Sequence, residues 1–148
     1  MRPTYETAAH REEEARLKRI VAVQWRVKYD DLRLEDELDS IVLTLDYRPV
    51  GFWEIKRRWV KSDAYPDFIV SARKVEAAQR IARVSELPVV IVVGYNDRTV
   101  WFPLTEPSGF RLGGRTDRGD PRDVERMAVF SPVQLRGLED NPFRLEVN

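Results

Sequence analysis

The chain has 148 residues, with 25 Lys and Arg balanced by 25 Asp and Glu, one His and no Cys. That length suits one domain, able to bury roughly two thirds of the surface its unfolded chain would expose. Zero net charge excludes a global field that pulls the protein to nucleic acid or membrane, and the lack of Cys excludes disulfides and thiolate metal sites.

In chain order, Thr7 to about Trp25 reads as a helix. Ala8, Ala9, Ala15, Leu17, Ile20 and Val21 recur at helical spacing among charges, and Thr7 is placed to cap it. Trp25, Val27, Tyr29, Leu32 and Leu34 roughly alternate with polar residues, as a half-buried strand would. Asp39 opens a strand over 41–45, and Asp46-Tyr47-Arg48-Pro49 turns it into a second arm from Val50 to Lys56, a hairpin. A polar and aromatic connection covers 57–68. Ser71 then stands where it can cap a helix from about Ala72 to Val84 with Val75, Ala78, Ile81 and Ala82 inward. The β-branched run from Leu87 to Gly94 predicts a strand covered on both faces. Its apolar core, Val89 to Val93, is too short to cross a bilayer, and the N-terminus is charged rather than signal-like, so a cytoplasmic protein with no membrane partner is expected. Thr99 to Leu104 returns as a strand after the Tyr95-Asn96-Asp97-Arg98 turn. Gly109 to Asp123 reads as a glycine-rich, charge-dense loop, followed by a strand at 127–130 and a short helix from Pro132.

Glu54-Ile55-Lys56 stands out. An acid and a lysine two residues apart on a strand point to one face, so a carboxylate and an ammonium can converge on a single phosphodiester. Hydrolysis of that bond needs carboxylates to hold a cation and a further group to orient water and offset negative charge. Asp39, which the hairpin brings beside Glu54, completes such a set with Lys56, and the Ile55 carbonyl is a further oxygen donor. With no thiolates available, oxygen ligands favour a hard cation such as magnesium. Glu14, three residues before Leu17, flanks the inward face of the first helix and can reach the same place, with Glu13 as its competitor. Arg57, Arg58 and Lys61 around Trp59 form a local patch that could grip phosphates and stack a base, or equally an exposed connection.

With these residues placed, the chain resembles the PD-(D/E)XK nuclease superfamily, with an αβββαβ core and a signature of helix Glu, Asp and Glu-x-Lys. The layout is similar to small Holliday-junction resolvases and short phage nucleases and covers about residues 7–104. The resemblance implies a restriction-endonuclease-like α/β fold, a mixed central sheet flanked by helices, with 105–148 as a C-terminal extension of a single nuclease-like domain. It implies that Asp39 and Glu54 bind Mg2+ or Mn2+, that Lys56 positions the nucleophilic water, and that the helix acid falls on Glu14. It also carries Lys74 and Tyr65 as auxiliary groups. DNA is the implied substrate, and a homodimer or a partner protein the implied source of extra grip. Leu38 stands where the motif has Pro, which leaves Asp36 and Asp46 as rivals for the metal Asp.

Other readings stay open on the sequence. A non-catalytic nucleic-acid-binding or assembly module could use the same fold with the basic patch and the Gly113 to Asp123 loop. Glu54 and Lys56 could blunt a sheet edge, and Glu12 to Glu14 could be a solvated helix face. His10 has no partner at metal-ligand spacing, and the Asp117, Asp120, Asp123 and Glu125 series lacks the acid spacing and central glycine of a calcium loop.

Overall fold

The computed structural model describes residues 7–33, 38–114 and 124–143. Its elements run α1 (Ala8–Trp25), β1 (Lys28–Asp31), β2 (Ser40–Leu43), β3 (Pro49–Arg57), β4 (Phe68–Ser71), α2 (Ala72–Ser85), β5 (Val89–Gly94), β6 (Thr99–Pro103), β7 (Gly109–Gly114), β8 (Val124–Phe130) and β9 (Arg136–Gly137). Six strands form one sheet in the order β1-β2-β3-β5-β6-β9, and β4-β8-β7 form a second. Among the described residues only the β3–β5 pairing is parallel, with α2 within the crossover, and the other ladders are antiparallel. The mixed sheet follows the expectation, as does the order α1, β1 to β3, α2, β5 once β4, which belongs to the second sheet, is set aside as an unexpected strand before α2.

The period-2 geometry of β5 organises the interior, because successive side chains serve opposite faces. Val90 and Val92 join Leu17, Val21 and Trp25 of α1 and Trp53 and Ile55 of β3 on one face. Val89, Ile91 and Val93 join Val75 and Ala78 of α2, together with Phe68, Ala128 and Phe130 of the second sheet, on the other. All six β5 residues are buried, as a strand covered on both faces requires. Gly94 sets how closely α1 can approach, since a Cβ there would meet Leu17 Cδ2 at 2.8 Å.

Several expectations need correction. Trp25 ends α1 instead of starting a strand, because its indole is buried against Trp53, Trp101 and Phe143 and donates to the Leu138 carbonyl. Ile20 is exposed; Leu17, Val21, Ala22 and Trp25 make the inward stripe. Ser71 stands at the N-cap of α2 as expected but makes no side-chain capping bond, as its hydroxyl instead donates to Glu125 across to β8. β2 ends at Leu43, where the register shifts against β3. The stretch expected as a loop from Gly109 is strand through Gly114, paired along β8. The expected strand at 127–130 is the second half of β8, and the helix from Pro132 is a single 3-10 turn. Leu34, Asp36 and the segment 115–123, with Asp117, Asp120 and Asp123, lie outside the described residues. No helix among the described residues is long and apolar enough to cross a membrane.

Candidate active site

β3 carries the centre of the site. Trp53 and Ile55 face α1, so the intervening residues Glu54 and Lys56 face α2. Ser40 pairs with Trp53, which puts Asp39 next to Glu54 just where β2 begins. The strand partner is missing one residue further on, and Asp39 takes its place: its Oδ2 accepts from the Ile55 amide at 2.7 Å. The N–H and C=O of one residue point to the same edge of a strand, so the Ile55 carbonyl faces the Asp39 side as well.

Glu54 is only 2% exposed. Lys74, in the first turn of α2, donates to Glu54 Oε1 at 2.8 Å, and Lys56 Nζ lies 3.4 Å from the same oxygen. Glu54 Oε2 is buried with no hydrogen-bond partner among the described residues. Burial pushes the Glu54 carboxyl above its ordinary range, and the charge of Asp39 pushes it further against the opposing pull of Lys74 and Lys56. Burial alone would lower the Lys56 ammonium, but the carboxylates of Glu54, Glu14 and Asp39 outweigh it and hold its pKa up. Of the two helix acids, Glu14 thus acts on Lys56, whereas Glu13 pairs with Arg16 at 3.8 Å and lies 4.0 Å from Arg57. Arg73 and Lys74 in the first turn of α2 oppose the helix dipole, a placement that costs stability unless an anion faces it. Glu54 is such an anion.

The chemistry of this donor set suits a hard divalent cation. A buried carboxylate oxygen without a partner beside a second carboxylate is an electrostatic deficit that a cation would offset. Two carboxylates and a carbonyl are fewer than a full ligand shell, and no group of three His, Cys, Asp or Glu gathers among the described residues. Magnesium tolerates this, because it keeps several waters and takes only one or two carboxylates from protein.

The other predicted residues fall around this centre. Arg57 is turned into the protein: its guanidinium donates to the Gly94 carbonyl at 2.9 Å and to Asn96 at 2.8 Å, and lies 4.3 Å from the Trp59 ring. Trp59 is 50% exposed and its ring lies 6.0 Å from His10. Arg58, Lys61 and Tyr65 are exposed at the mouth of a neighbouring pocket instead of packing on Glu54. Asp46, the rival metal Asp, sits in the hairpin turn and pairs with Thr44 and Arg48 at the surface. Asp39 stands beside Glu54, and the other rival, Asp36, lies outside the described residues. Sequence reasoning passed over β4 and the pocket that it helps to build, although Phe68-Ile69-Val70 after Pro66 is a short apolar run of strand type.

The profile of a family described as phage putative PDDEXK endonuclease matches residues 1–136. The chain belongs to that family. Among solved structures, that of Archaeoglobus fulgidus Hjc, a Holliday junction resolvase from an archaeal hyperthermophile, is similar at a TM-score of 0.54 and 12% identity, over 82% of this chain and 88% of that one. At that identity the likeness shows the fold alone, a restriction-endonuclease-like α/β core, which is the fold expected from the sequence. None of the curated proteins matches the chain. In this PDDEXK member Glu54-Ile55-Lys56 lies on β3, with Asp39 beside it across the hairpin.

Proposed function

We propose that the protein is a metal-dependent DNA endonuclease whose centre is Asp39, Glu54 and Lys56. The observation that carries this reading is the buried Glu54 carboxylate, held by two lysines on one oxygen and unpartnered on the other, beside Asp39. Asp39, Glu54 and the Ile55 carbonyl would hold Mg2+ or Mn2+, which when bound supplies Lewis-acid polarisation of the phosphate and an acidified water. Lys74 orients Glu54 and opposes the rise in its pKa that burial causes, since an ammonium at 2.8 Å favours the carboxylate form. Glu14 and Glu54 hold Lys56 protonated, so it acts as a fixed cation that orients the attacking water and steadies charge on the phosphate, and not as the base.

Family membership and the resolvase-like fold support DNA as the substrate. With zero net charge, affinity for DNA must come from the local cations Arg58 and Lys61, and a second copy or a partner protein would extend the grip. Calorimetry tests the metal half of this reading: Mg2+ or Mn2+ should bind wild type and Lys56→Ala, and fail to bind Asp39→Ala and Glu54→Ala. Metal binding that persists in both carboxylate variants would remove the centre from these residues. DNA affinity that persists in chelator without any metal binding would point to the non-catalytic binding module.

A further inference from the structure

Beside the candidate centre lies a cavity of about 250 Å³. The nuclease reading leaves it without a task. The buried Phe68 of β4 and Phe130 of β8 line it, together with Tyr95, which follows β5, and Leu135. Arg58 and Lys61 stand at its mouth with Tyr65, which is 69% exposed. Arg111 and Asp67, also in the lining, pair at 3.3 Å and offset one another, which leaves the mouth cationic. The second sheet therefore builds one wall of a pocket that opens next to the end of β3.

Three features select the occupant. The volume lies below the roughly 300–1,000 Å³ of sites that enclose drug-sized ligands, so it suits a single ring system. The walls are aromatic and apolar, as a stacking platform for a base requires, and the mouth carries cations, as an attached phosphate requires. Arg58 links the pocket to the centre: its charge is felt by Lys56 on one side and by Tyr95 on the other, while its guanidinium lies 5.3 Å from the Phe68 ring. A phosphodiester at Lys56 would thus present a neighbouring nucleotide to the pocket.

We infer that this pocket receives one unpaired nucleobase of the DNA substrate, stacked against Tyr65 and the pocket aromatics with its phosphate beside Arg58 and Lys61. A paired base stays in its stack and cannot enter without unpairing, so the pocket favours DNA with a bulged, flapped or otherwise unpaired nucleotide over uninterrupted duplex. This inference rests on the nuclease reading, and it adds the substrate class.

The test compares two duplexes that differ only by one bulged 2-aminopurine, titrated with the full-length protein in chelator so that nothing is cut. Wild type should bind the bulged duplex about tenfold more tightly, the size of one base stacked on an aromatic ring, and quench the 2-aminopurine emission. Tyr65→Ala, at an exposed position where folding is not at stake, should bring the ratio of affinities close to one, and Tyr65→Phe should restore it by keeping the ring. Equal affinities with unchanged emission in wild type, or a ratio that survives Tyr65→Ala, would overturn the inference. So would saturable binding of free adenosine monophosphate while the bulged base stays unquenched, which would assign the pocket to a free nucleotide. Metal-dependent cleavage without preference for the bulge would defeat this inference alone, whereas absence of both cleavage and DNA binding would defeat the nuclease reading with it.

Discussion

Removing Lys74 tests whether the site is held together by the buried charge of Glu54. Lys74→Ala deletes the 2.8 Å contact to Glu54 Oε1 and leaves only Lys56, 3.4 Å away, against a carboxylate whose other oxygen is unpartnered. Breaking a fully buried pair from one side costs about 3–5 kcal/mol. The Lys74 side chain retains 23% exposure and Lys56 remains as a second cation, so screening reduces this to about 1–3 kcal/mol. In a protein of this size that corresponds to a fall of roughly 2–12 °C in Tm. In a Glu54→Gln background the charge is gone, and Lys74→Ala should cost well under about 1 kcal/mol, an ordinary neutral hydrogen bond at most. Urea unfolding of wild type, both single variants and the double variant in chelator measures the coupling. An equal cost of Lys74→Ala in both backgrounds would show that Lys74 acts through packing and that Glu54 is not held as a buried anion.

The same carboxylate predicts the pH dependence of stability in chelator. The folded state raises the Glu54 pKa, so it binds protons more tightly than the unfolded chain, and stability should fall as pH rises from the ordinary value of 4.5 through the elevated one. Asp31, whose pKa is lowered by its bonds from Ser40 and Lys18 against the effect of burial, does the opposite and loses its contribution as pH drops below 3.8. Thermal unfolding across that range should show the upper slope vanish in Glu54→Gln; a slope left intact would place it on another group. Lys56→Ala should keep metal affinity and lose about 10²–10³ in kcat, measured under saturating metal, and a loss below tenfold would deny it a role at the phosphate. Gly51→Ala should destabilise by about 1–3 kcal/mol in denaturant unfolding, since its Cβ would lie 2.7 Å from the Pro88 carbonyl oxygen, backbone that cannot move aside cheaply. An unaffected midpoint would mean that β3 has room to shift. Arg58→Ala should reduce the magnitude of the salt slope of DNA binding by about one, and an unchanged slope would place the phosphate grip elsewhere.

What the sequence revealed of the fold follows from which signals were local. The helical stripe of Leu17 and Val21, the β-branched run of β5 and the hairpin turn at 46–49 are periodicity and turn chemistry, and each has its element in the structure. Trp25 misled because an aromatic in register with a following strand can equally close a helix, and only the indole contacts across the sheet decide. β4 and β7 were not legible because they are short and pair only with β8, which lies far along the chain. At the site, Glu54, Lys56 and the hairpin neighbour Asp39 could be placed from spacing. The choice of Glu14 over Glu13, and the bond from Lys74 to Glu54, depend on how two helices pack on opposite faces of the sheet, which no window of sequence contains. Nor does any window of sequence contain the bonds from the Arg57 guanidinium to Gly94 and Asn96.

The most direct measurement is cleavage of plasmid, linear, single-stranded and four-way-junction DNA with Mg2+, Mn2+ or chelator, with wild type beside Glu54→Ala. The account predicts cutting of at least one substrate by wild type with metal, none in chelator, and none by Glu54→Ala. Cutting that survives chelation or the loss of Glu54, or a folded wild type that binds metal and DNA yet cuts none of the four, would contradict it.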